Sequence, residues 1–159
     1  MDFTEYVAAR RTSLVRSAVL LGCPQPDAED IVQTALLRCF RSWRRVQKAD
    51  QPDAYVYRVL VNTLTDARNR RWNGELPTED LPDRPGGEDD ATTGLGVRRA
   101  LAAMRREHRE VLVLRYYADL SERETADVLR IPPGTVKSRT SRALAALAAD
   151  QNVRSPDAH

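Results

Sequence analysis

The residues best suited to chemistry in this sequence are cations and hydroxyls near its C-terminal end. Lys137, Arg139 and Arg142 lie two and three positions apart, with Thr135 and Ser138 beside them. Guanidinium and ammonium groups bind phosphates and guanine edges, and hydroxyls donate hydrogen bonds to phosphate near a helix N-terminus. This combination predicts contact with nucleic acid. A helical hairpin with a solvated basic face has the same spacing, so that alternative stays open at this point.

Two predicted helices and a tight turn position these side chains. Ser121 and Glu124 have the spacing of a capping box, which begins a helix that ends near Arg130. A proline pair follows, and it cannot continue a helix interior. Thr135 is the predicted N-cap of the last helix. The order predicts a helix-turn-helix over 121–149, with Arg130 where such a turn often has a small residue.

The charges of the chain are divided into three blocks. Residues 1–72 contain 12 Lys+Arg against 8 Asp+Glu, and residues 97–159 contain the same numbers, so each block carries +4. Residues 73–96 contain 1 against 7, which gives −6, together with five of the seven glycines and three of the nine prolines. No helical apolar period crosses this middle block. We therefore predict a flexible acidic linker between two basic domains.

Apolar residues recur at three- and four-residue steps in both basic blocks, which predicts helices. In the first block the helices run from Phe3 to Leu21, from an N-cap at Asp27, and from Asp53 after a polar connection. Nothing resembles an array of strands. The predicted fold is all-α, with two small helical domains at 1–72 and 97–150, the linker at 73–96 and a disordered tail at 151–159.

Several classes of protein are disfavoured by the composition. His108 and His159 are the only histidines, and neither a glycine-rich phosphate loop nor a convergent set of carboxylates is present, so we expect no enzyme. Cys23 and Cys39 lack CxxC spacing, and we expect neither a metal site, a disulfide nor a cofactor. No signal segment opens the chain, and its longest apolar run, 18–21, is too short for a bilayer. A cytoplasmic protein is expected.

The two basic blocks together resemble one known family. Residues 121–147, which include the run Pro-Gly-Thr-Val-Lys-Ser-Arg, closely resemble the C-terminal, minus-35-reading domain of extracytoplasmic-function sigma factors. Residues 109–117 are similar to the lead-in of that domain. In the first block, 27–33 and 54–62 with Asp66 resemble the second and fourth conserved regions of the family. The 23 arginines against 2 lysines agree with an actinobacterial subgroup from GC-rich genomes.

The resemblance implies a surface that binds core RNA polymerase. In such proteins the second helix docks on the clamp coiled coil of the largest polymerase subunit, and the flap is a further contact. The matched positions here are Asp27, Asp30, Gln33 and Arg38, with Glu29 as a neighbour. Helix capping and a solvated face also account for Asp27 and Glu29. Members of the family are often held inactive by an anti-sigma factor, which is a further expected partner.

The resemblance also implies contacts with the minus-10 promoter element. Residues 46–54 match a loop that holds a flipped base, and Asn62 matches an asparagine that reads a base through its amide. The other candidates contact bases by stacking or contact phosphates: Tyr55, Tyr57, Arg58, Arg68, Arg70 and Arg71. Core packing is the alternative role for the tyrosines, and we expect it for at least one of them.

The minus-35 contacts of the family fall on the last predicted helix. They correspond to Lys137, Ser138, Arg139, Ser141 and Arg142, beside Thr135 at the helix start. The acidic linker matches a segment that passes through the polymerase cleft towards the RNA exit channel. A simple soluble tether explains the composition of that linker equally well.

Two departures from the family and one rival interpretation remain. The usual member has an extra helix before the one that starts at Phe3, and Arg130 replaces a common turn glycine, which predicts a slight tilt of the last helix. The short tail argues against a further C-terminal domain.

A stand-alone helix-turn-helix regulator would explain 121–149 but leaves Asp30 and Asn62 without a role.

Overall fold

The computed structural model describes the backbone of residues 1–72 and 92–150, and all regular structure in these ranges is helical. The helices are α1 (Phe3–Leu20), α2 (Gln25–Arg41), α3 (Trp43–Lys48), α4 (Pro52–Trp72), α5 (Thr92–Ala103), α6 (Arg106–Leu112), α7 (Glu122–Leu129) and α8 (Pro133–Ala149). A π-helical segment, Val113–Tyr117, follows α6 directly. The all-α prediction is confirmed for the described residues. Most of the predicted linker and all of the predicted tail lie outside them.

The first two helices begin at chemically distinct signals. α1 opens with a capping box, in which the Glu5 backbone N–H donates to the Asp2 carboxylate over 2.8 Å and the Asp2 N–H donates to the Glu5 carboxylate over 2.9 Å. Gly22, with φ of 106°, turns the chain towards α2. α2 begins at Gln25 instead of after a cap at Asp27, which lies in its first turn. A proline early in α2 suits this start because its fixed φ is helical and its missing N–H needs no partner.

Helix α3 occupies part of the stretch that the sequence analysis assigned to a polar connection. Its Val46 is fully buried, which anchors this short helix to the core. The predicted loop 46–54 is therefore only three residues long, 49–51, between α3 and α4. α4 begins at Pro52, next to the predicted start at Asp53.

The second block contains the predicted helix-turn-helix. The capping box is confirmed, since the Glu124 N–H donates to Ser121 Oγ over 3.0 Å and the Ser121 N–H donates to the Glu124 carboxylate over 2.8 Å. Arg130 ends α7 in the left-handed conformation, with φ of 61°. α8 begins at Pro133 after Pro132, so Thr135 lies inside its first turn and is not the cap. Prolines again supply the fixed φ that a helix start needs.

The two blocks pack against each other in this structure. α1, α2 and α4 associate in the first block, while α8 packs on α6 and α7 in the second. α4 also packs against α7, and α1 against α5 and the π-helical segment. One hydrophobic core therefore runs through both blocks and includes Leu14, Leu60, Leu114 and Val136, all nearly inaccessible. α5 begins at Thr92, so the last five residues of the predicted linker, 92–96, are helical.

Candidate nucleic-acid and polymerase interfaces

Helix α8 has a buried side and an exposed polar side. Val136, Thr140 and Ala143 are buried, and the Thr140 hydroxyl donates to the Val136 carbonyl over 2.7 Å. The opposite side exposes four of the predicted contact residues, Lys137, Ser138, Ser141 and Arg142. Three- and four-residue spacing places them on one face. The structure therefore brings cations and hydroxyls together on one face of a helix, and the major groove of DNA admits an α-helix.

Arg139 differs from the other predicted contacts on α8. It is half-buried, and its guanidinium lies 3.7 Å from the carboxylate of Glu107, next to the start of α6. The pair ties α8 to α6, in agreement with the packing of these helices. Arg139 thus helps to hold α8 against α6 in this structure, and its predicted contact with DNA would require exchange of its carboxylate partner. Thr135 is also half-buried, and its carbonyl accepts a hydrogen bond from Ser138 Oγ over 3.2 Å.

On α4, three of the predicted minus-10 residues share one face. Tyr55, Arg58 and Asn62 follow at three- and four-residue steps, with Arg58 exposed and the other two half-buried. Arg70 is exposed nearer the end of the helix, while Arg71 has a side chain outside the described part. An aromatic ring, an amide and a cation on one face are the groups that stack on bases, read their edges and bind phosphate.

Tyr57 lies on the other side of α4, in the core. It is 5% exposed, and its hydroxyl lies 2.6 Å from the hydroxyl of Ser17 on α1 in a buried hydrogen bond. Burial raises the pKa of the Tyr57 phenol, while the Ser17 hydrogen bond opposes that rise. Tyr57 therefore supplies the core packing that the sequence analysis expected of at least one tyrosine.

Arg68 does not follow the exposed face of α4 either. It is half-buried, and its Nη2 donates to the carbonyl of Leu21 at the end of α1 over 2.9 Å. Burial lowers the pKa of Arg68, and the neighbouring Arg106 lowers it further, while Glu110 raises it. The predicted contact of Arg68 with DNA is thus replaced in this conformation by contacts within the protein.

The predicted polymerase face on α2 is exposed and extends further than the sequence analysis proposed. Asp30 and Gln33 are exposed, and Leu37 and Phe40 continue the same face at three- and four-residue steps. Leu37 is 55% exposed and Phe40 56%, which is unusual for large apolar side chains in the middle and last turn of a helix. Sequence reasoning missed these two residues, although their spacing from Asp30 was a usable signal.

Arg38 links α2 to α4. Its Nη1 donates to Thr63 Oγ1 and to the Asp66 carboxylate, both over 3.1 Å. Asp66, which the family resemblance singled out, is therefore the ion-pair partner of Arg38. The pair is on the surface, where such an interaction contributes little to stability but fixes the orientation of the side chains.

A basic groove adjoins the short loop before α4, and sequence reasoning did not identify it. The cavity encloses about 630 Å³, and its lining contains two aromatic residues, four cations and no carboxylate: Phe40, Arg41, Ser42, Trp43, Arg44, Arg45 and Lys48. The four cations are exposed and take part in no ion pair within the described part of the chain. The run of cations without an acid between 41 and 48 was the available signal.

Within residues 1–72 and 92–150, no cluster of three or more His, Cys, Asp or Glu side chains could hold a metal ion. Cys23 and Cys39 are buried and form no disulfide, and burial raises the pKa of the Cys39 thiol to about 11. No helix among the described residues has the length and apolar character needed to cross a bilayer.

The fold and these surfaces define a class of all-helical DNA-binding protein with a C-terminal helix-turn-helix. Two family models match the chain, sigma-70 region 2 over residues 5–74 and sigma-70 region 4 over residues 95–147. RNA polymerase sigma-E factor from Streptomyces coelicolor is 40% identical over 162 residues, covering 99% of this chain and 90% of that protein. Its counterpart from Streptomyces avermitilis is 39% identical and covers 99% of this chain and 89% of that protein.

Solved structures agree with this fold. Sigma factor RpoE from Bartonella quintana, in complex with the anti-sigma factor NepR, matches with a TM-score of 0.76 at 22% identity, covering 94% of this chain and 99% of RpoE. CnrH, in complex with the cytosolic domain of CnrY, matches with a TM-score of 0.64 at 25% identity, covering 92% and 85%. The chain belongs to the sigma-70 family, among the extracytoplasmic-function sigma factors of actinobacterial type, and acts in transcription initiation.

Proposed function

We propose that this sigma factor selects promoters by reading the minus-35 duplex with α8 and the minus-10 strand with α4, while α2 binds core RNA polymerase. The exposed face of α8 carries this proposal, because it presents Lys137, Ser138, Ser141 and Arg142 to solvent while the opposite face is buried. A helix so placed in a helix-turn-helix enters the major groove with its N-terminal half.

At the minus-35 element, Arg142 is the proposed base reader. It is exposed, and among the described residues it takes part in no ion pair, whereas Arg139 is held by Glu107. An arginine that binds a guanine through two hydrogen bonds contributes about 1–3 kcal/mol of discrimination. Lys137 and the hydroxyls of Ser138 and Ser141 contact phosphates, which sets the register of the helix but not its specificity.

At the minus-10 element, the face of Tyr55, Arg58 and Asn62 holds the displaced strand. The Asn62 amide donates and accepts, so it can bind the Watson–Crick edge of a flipped base. The basic groove of residues 40–48 lies on the other side of the loop 49–51, and we propose that its cations continue the path of the strand. Phosphates of the strand would pair with the exposed arginines and with Lys48 of this groove.

The polymerase surface on α2 combines a polar part and an apolar part. Asp30 and Gln33 supply hydrogen bonds, and Leu37 with Phe40 supplies apolar area that is exposed in the free chain. Buried apolar anchors within a polar rim are the usual source of interface affinity. The exposed apolar side chains of Leu37 and Phe40 are therefore the expected centre of the contact with the clamp coiled coil.

The remaining parts of the proposal concern chemistry, place and partners. We propose that the chain performs no catalysis itself and works in the cytoplasm with the polymerase; the family membership supports both points. The structurally similar sigma factor RpoE is bound to the anti-sigma factor NepR, which supports an anti-sigma factor as a further partner of this chain. The proposed passage of the acidic linker through the polymerase cleft concerns residues outside the described ones.

The test is transcription from sheared actinobacterial genomic DNA by sigma-free core polymerase, with sequencing of transcript 5′ ends. New starts that share two spaced upstream motifs are expected only when the protein is added. Arg142→Ala should weaken binding to the minus-35 duplex roughly 5- to 150-fold, the equivalent of about 1–3 kcal/mol. Arg123→Ala is the matched control, because Arg123 is an exposed arginine of α7 without a proposed contact.

Two further variants test the other surfaces separately. Asn62→Ala should abolish strand opening at the promoter, read by permanganate reactivity of thymines, and leave polymerase binding intact. Leu37→Ser should weaken co-elution with core polymerase and leave binding to the minus-35 duplex unchanged. The contradicting outcome is tight binding to a specific DNA duplex without co-elution with core polymerase and without any change in the transcript starts that the polymerase makes. In that case the chain is a stand-alone regulator and this proposal is wrong.

A further inference from the structure

The turn between α7 and α8 contains a residue whose backbone conformation is unfavourable for a side chain. Arg130 has φ of 61° and ψ of 45°, which lies in the left-handed helical region. In this region the Cβ atom crowds the neighbouring carbonyl, so glycine is the residue that adopts it most easily. Among the described non-glycine residues, only Asp119 also has a positive φ. Strain of this kind at an exposed turn is a reason to look for a function of the side chain.

The hydrogen bonds of the turn explain its left-handed conformation but not its arginine. The backbone N–H groups of Arg130 and Ile131 both donate to the Ala126 carbonyl, the second over 3.1 Å. This arrangement is a common end of a helix, and it uses backbone atoms alone, so glycine would form it equally well. Ile131 is half-buried and packs against the core, which fixes the path of the chain into α8. Nothing in the turn itself requires a guanidinium.

The Arg130 side chain has no partner within the described part of the chain. It is exposed, and its guanidinium takes part in no ion pair and no hydrogen bond with another described residue. Asp127 lies three residues earlier on α7 and is also exposed, yet the two are not paired. By contrast, Arg115 before α7 donates to the Leu120 carbonyl over 2.8 Å. A strained, exposed arginine without an internal contact is free to bind a group outside the chain.

The position of the turn indicates what that group is. In a helix-turn-helix the first helix crosses the DNA backbone and the second enters the major groove with its N-terminal residues. Arg130 precedes Pro133, the first residue of α8, by three positions, so it lies where the chain passes from backbone to groove. At Gly134, a Cβ would meet no other part of the chain within 4 Å, which leaves room for an approaching DNA strand.

The chemistry of the side chain agrees with a phosphate as the partner. A guanidinium is always charged, and its planar fork of donors matches two oxygens of one phosphate. A phosphate contact fixes the register of a helix in the groove without reading the sequence. Asp119, the other strained residue, carries a negative charge and could not make this contact.

We propose that Arg130 binds one phosphate of the minus-35 duplex and so positions α8 in the major groove. The inference rests on the proposed function, since it requires that α8 reads this duplex. It gives two arginines different tasks, because Arg142 supplies specificity for a base while Arg130 supplies affinity that is independent of sequence. The left-handed turn keeps its arginine for the sake of this contact, although glycine would suit the backbone better.

The first experiment separates the charge of Arg130 from its backbone conformation. Arg130→Asn removes the charge with a residue that tolerates a left-handed φ, and Arg130→Lys keeps the charge. Arg16→Asn is the matched control, because Arg16 is an exposed arginine of α1 that has no ion pair among the described residues. Fluorescence anisotropy measures binding of each variant, assembled with core polymerase, to a promoter duplex taken from the mapped transcript starts, at about 50–200 mM salt.

Arg130→Asn should reduce the slope of log affinity against log salt concentration by about 0.9, the value for one phosphate. The corresponding loss of affinity is roughly eightfold at about 0.1 M salt and roughly fourfold at about 0.2 M salt. The loss should be the same for a duplex with altered minus-35 bases. Arg130→Lys and Arg16→Asn should keep the slope of the parent protein. An unchanged slope and affinity for Arg130→Asn contradict the proposal.

The second experiment locates the phosphate. Methylphosphonate linkages, which carry no charge, replace the phosphates of the minus-35 element one at a time on each strand. One replacement should weaken binding of the parent protein and have no further effect on Arg130→Asn. Equal effects of every replacement on the two proteins would overturn the inference. Failure of the parent protein to prefer the mapped minus-35 sequence contradicts the proposed function instead, so the two failures are distinguishable.

Discussion

A buried hydroxyl in α7 gives the sharpest stability prediction. Thr125 is fully buried, and its Oγ1 has no hydrogen-bond partner among the described residues. Leaving a buried polar group unsatisfied costs about 1–3 kcal/mol. Thr125→Val removes the hydroxyl while it keeps the volume, the β-branch and a similar helix propensity. We therefore expect the free energy of unfolding to rise by about 1–3 kcal/mol.

The same substitution on the neighbouring helix provides a matched control. Thr140 of α8 is also buried, but its Oγ1 donates to the Val136 carbonyl over 2.7 Å. Thr140→Val removes that hydrogen bond, so we expect a loss of about 0.5–1.5 kcal/mol. The two changes are chemically identical, and the opposite signs follow only from the hydrogen bonding of each hydroxyl.

Thermal unfolding followed by far-ultraviolet circular dichroism measures both variants. For a chain of this length, 1 kcal/mol corresponds to roughly 2–4 °C in Tm. Thr125→Val should unfold at a higher temperature than the parent chain and Thr140→Val at a lower one. A Tm for Thr125→Val at or below that of the parent chain would refute the reasoning, because it would show that the Thr125 hydroxyl forms a stabilising hydrogen bond.

Three further predictions concern buried polar groups and backbone strain. A double-mutant cycle of Ser17→Ala and Tyr57→Phe should give a coupling free energy of about 0.5–1.5 kcal/mol in urea unfolding, because their hydroxyls bond over 2.6 Å in the core; additive effects would contradict that bond. Burial raises the pKa of Glu110 above the ordinary 4.5, against the opposing effect of nearby arginines. The native state then holds this proton to a higher pH than the unfolded chain, so stability should fall as pH rises from 4.5 through the native pKa. Glu110→Gln should remove that part of the pH dependence, and an unchanged slope would speak against it. Arg130→Gly should raise Tm. A residue with a side chain at φ of 61° is strained by about 1–2 kcal/mol, and glycine relieves this strain but loses roughly 0.5–1 kcal/mol more chain entropy on folding. A lower Tm would show that the arginine side chain compensates for the strain.

Local signals in the sequence were sufficient for the elements of the helix-turn-helix. The capping box of Ser121 and Glu124 and the proline pair after Arg130 act within a few residues, so their effects can be read without the fold. Reasoning from the same local signals predicted the wrong first residue for two helices. Asp27 and Thr135 have cap-forming side chains, but the N-caps are prolines three residues earlier, Pro24 and Pro132. Helix α3 was missed because six residues are too few for a periodic pattern.

The sequence by itself determined the all-helical class of the described residues and the polar, cationic character of the exposed side of α8. These features depend on helix periodicity, caps and charge, which are properties of short stretches of chain. The tertiary structure alone decided which polar residues are available. Tyr55 and Tyr57 are equivalent by composition, yet only Tyr57 meets Ser17 across the core. Arg68 is held at the end of α1, and α7 packs on α4, because those contacts join residues far apart in the chain and no local pattern encodes them.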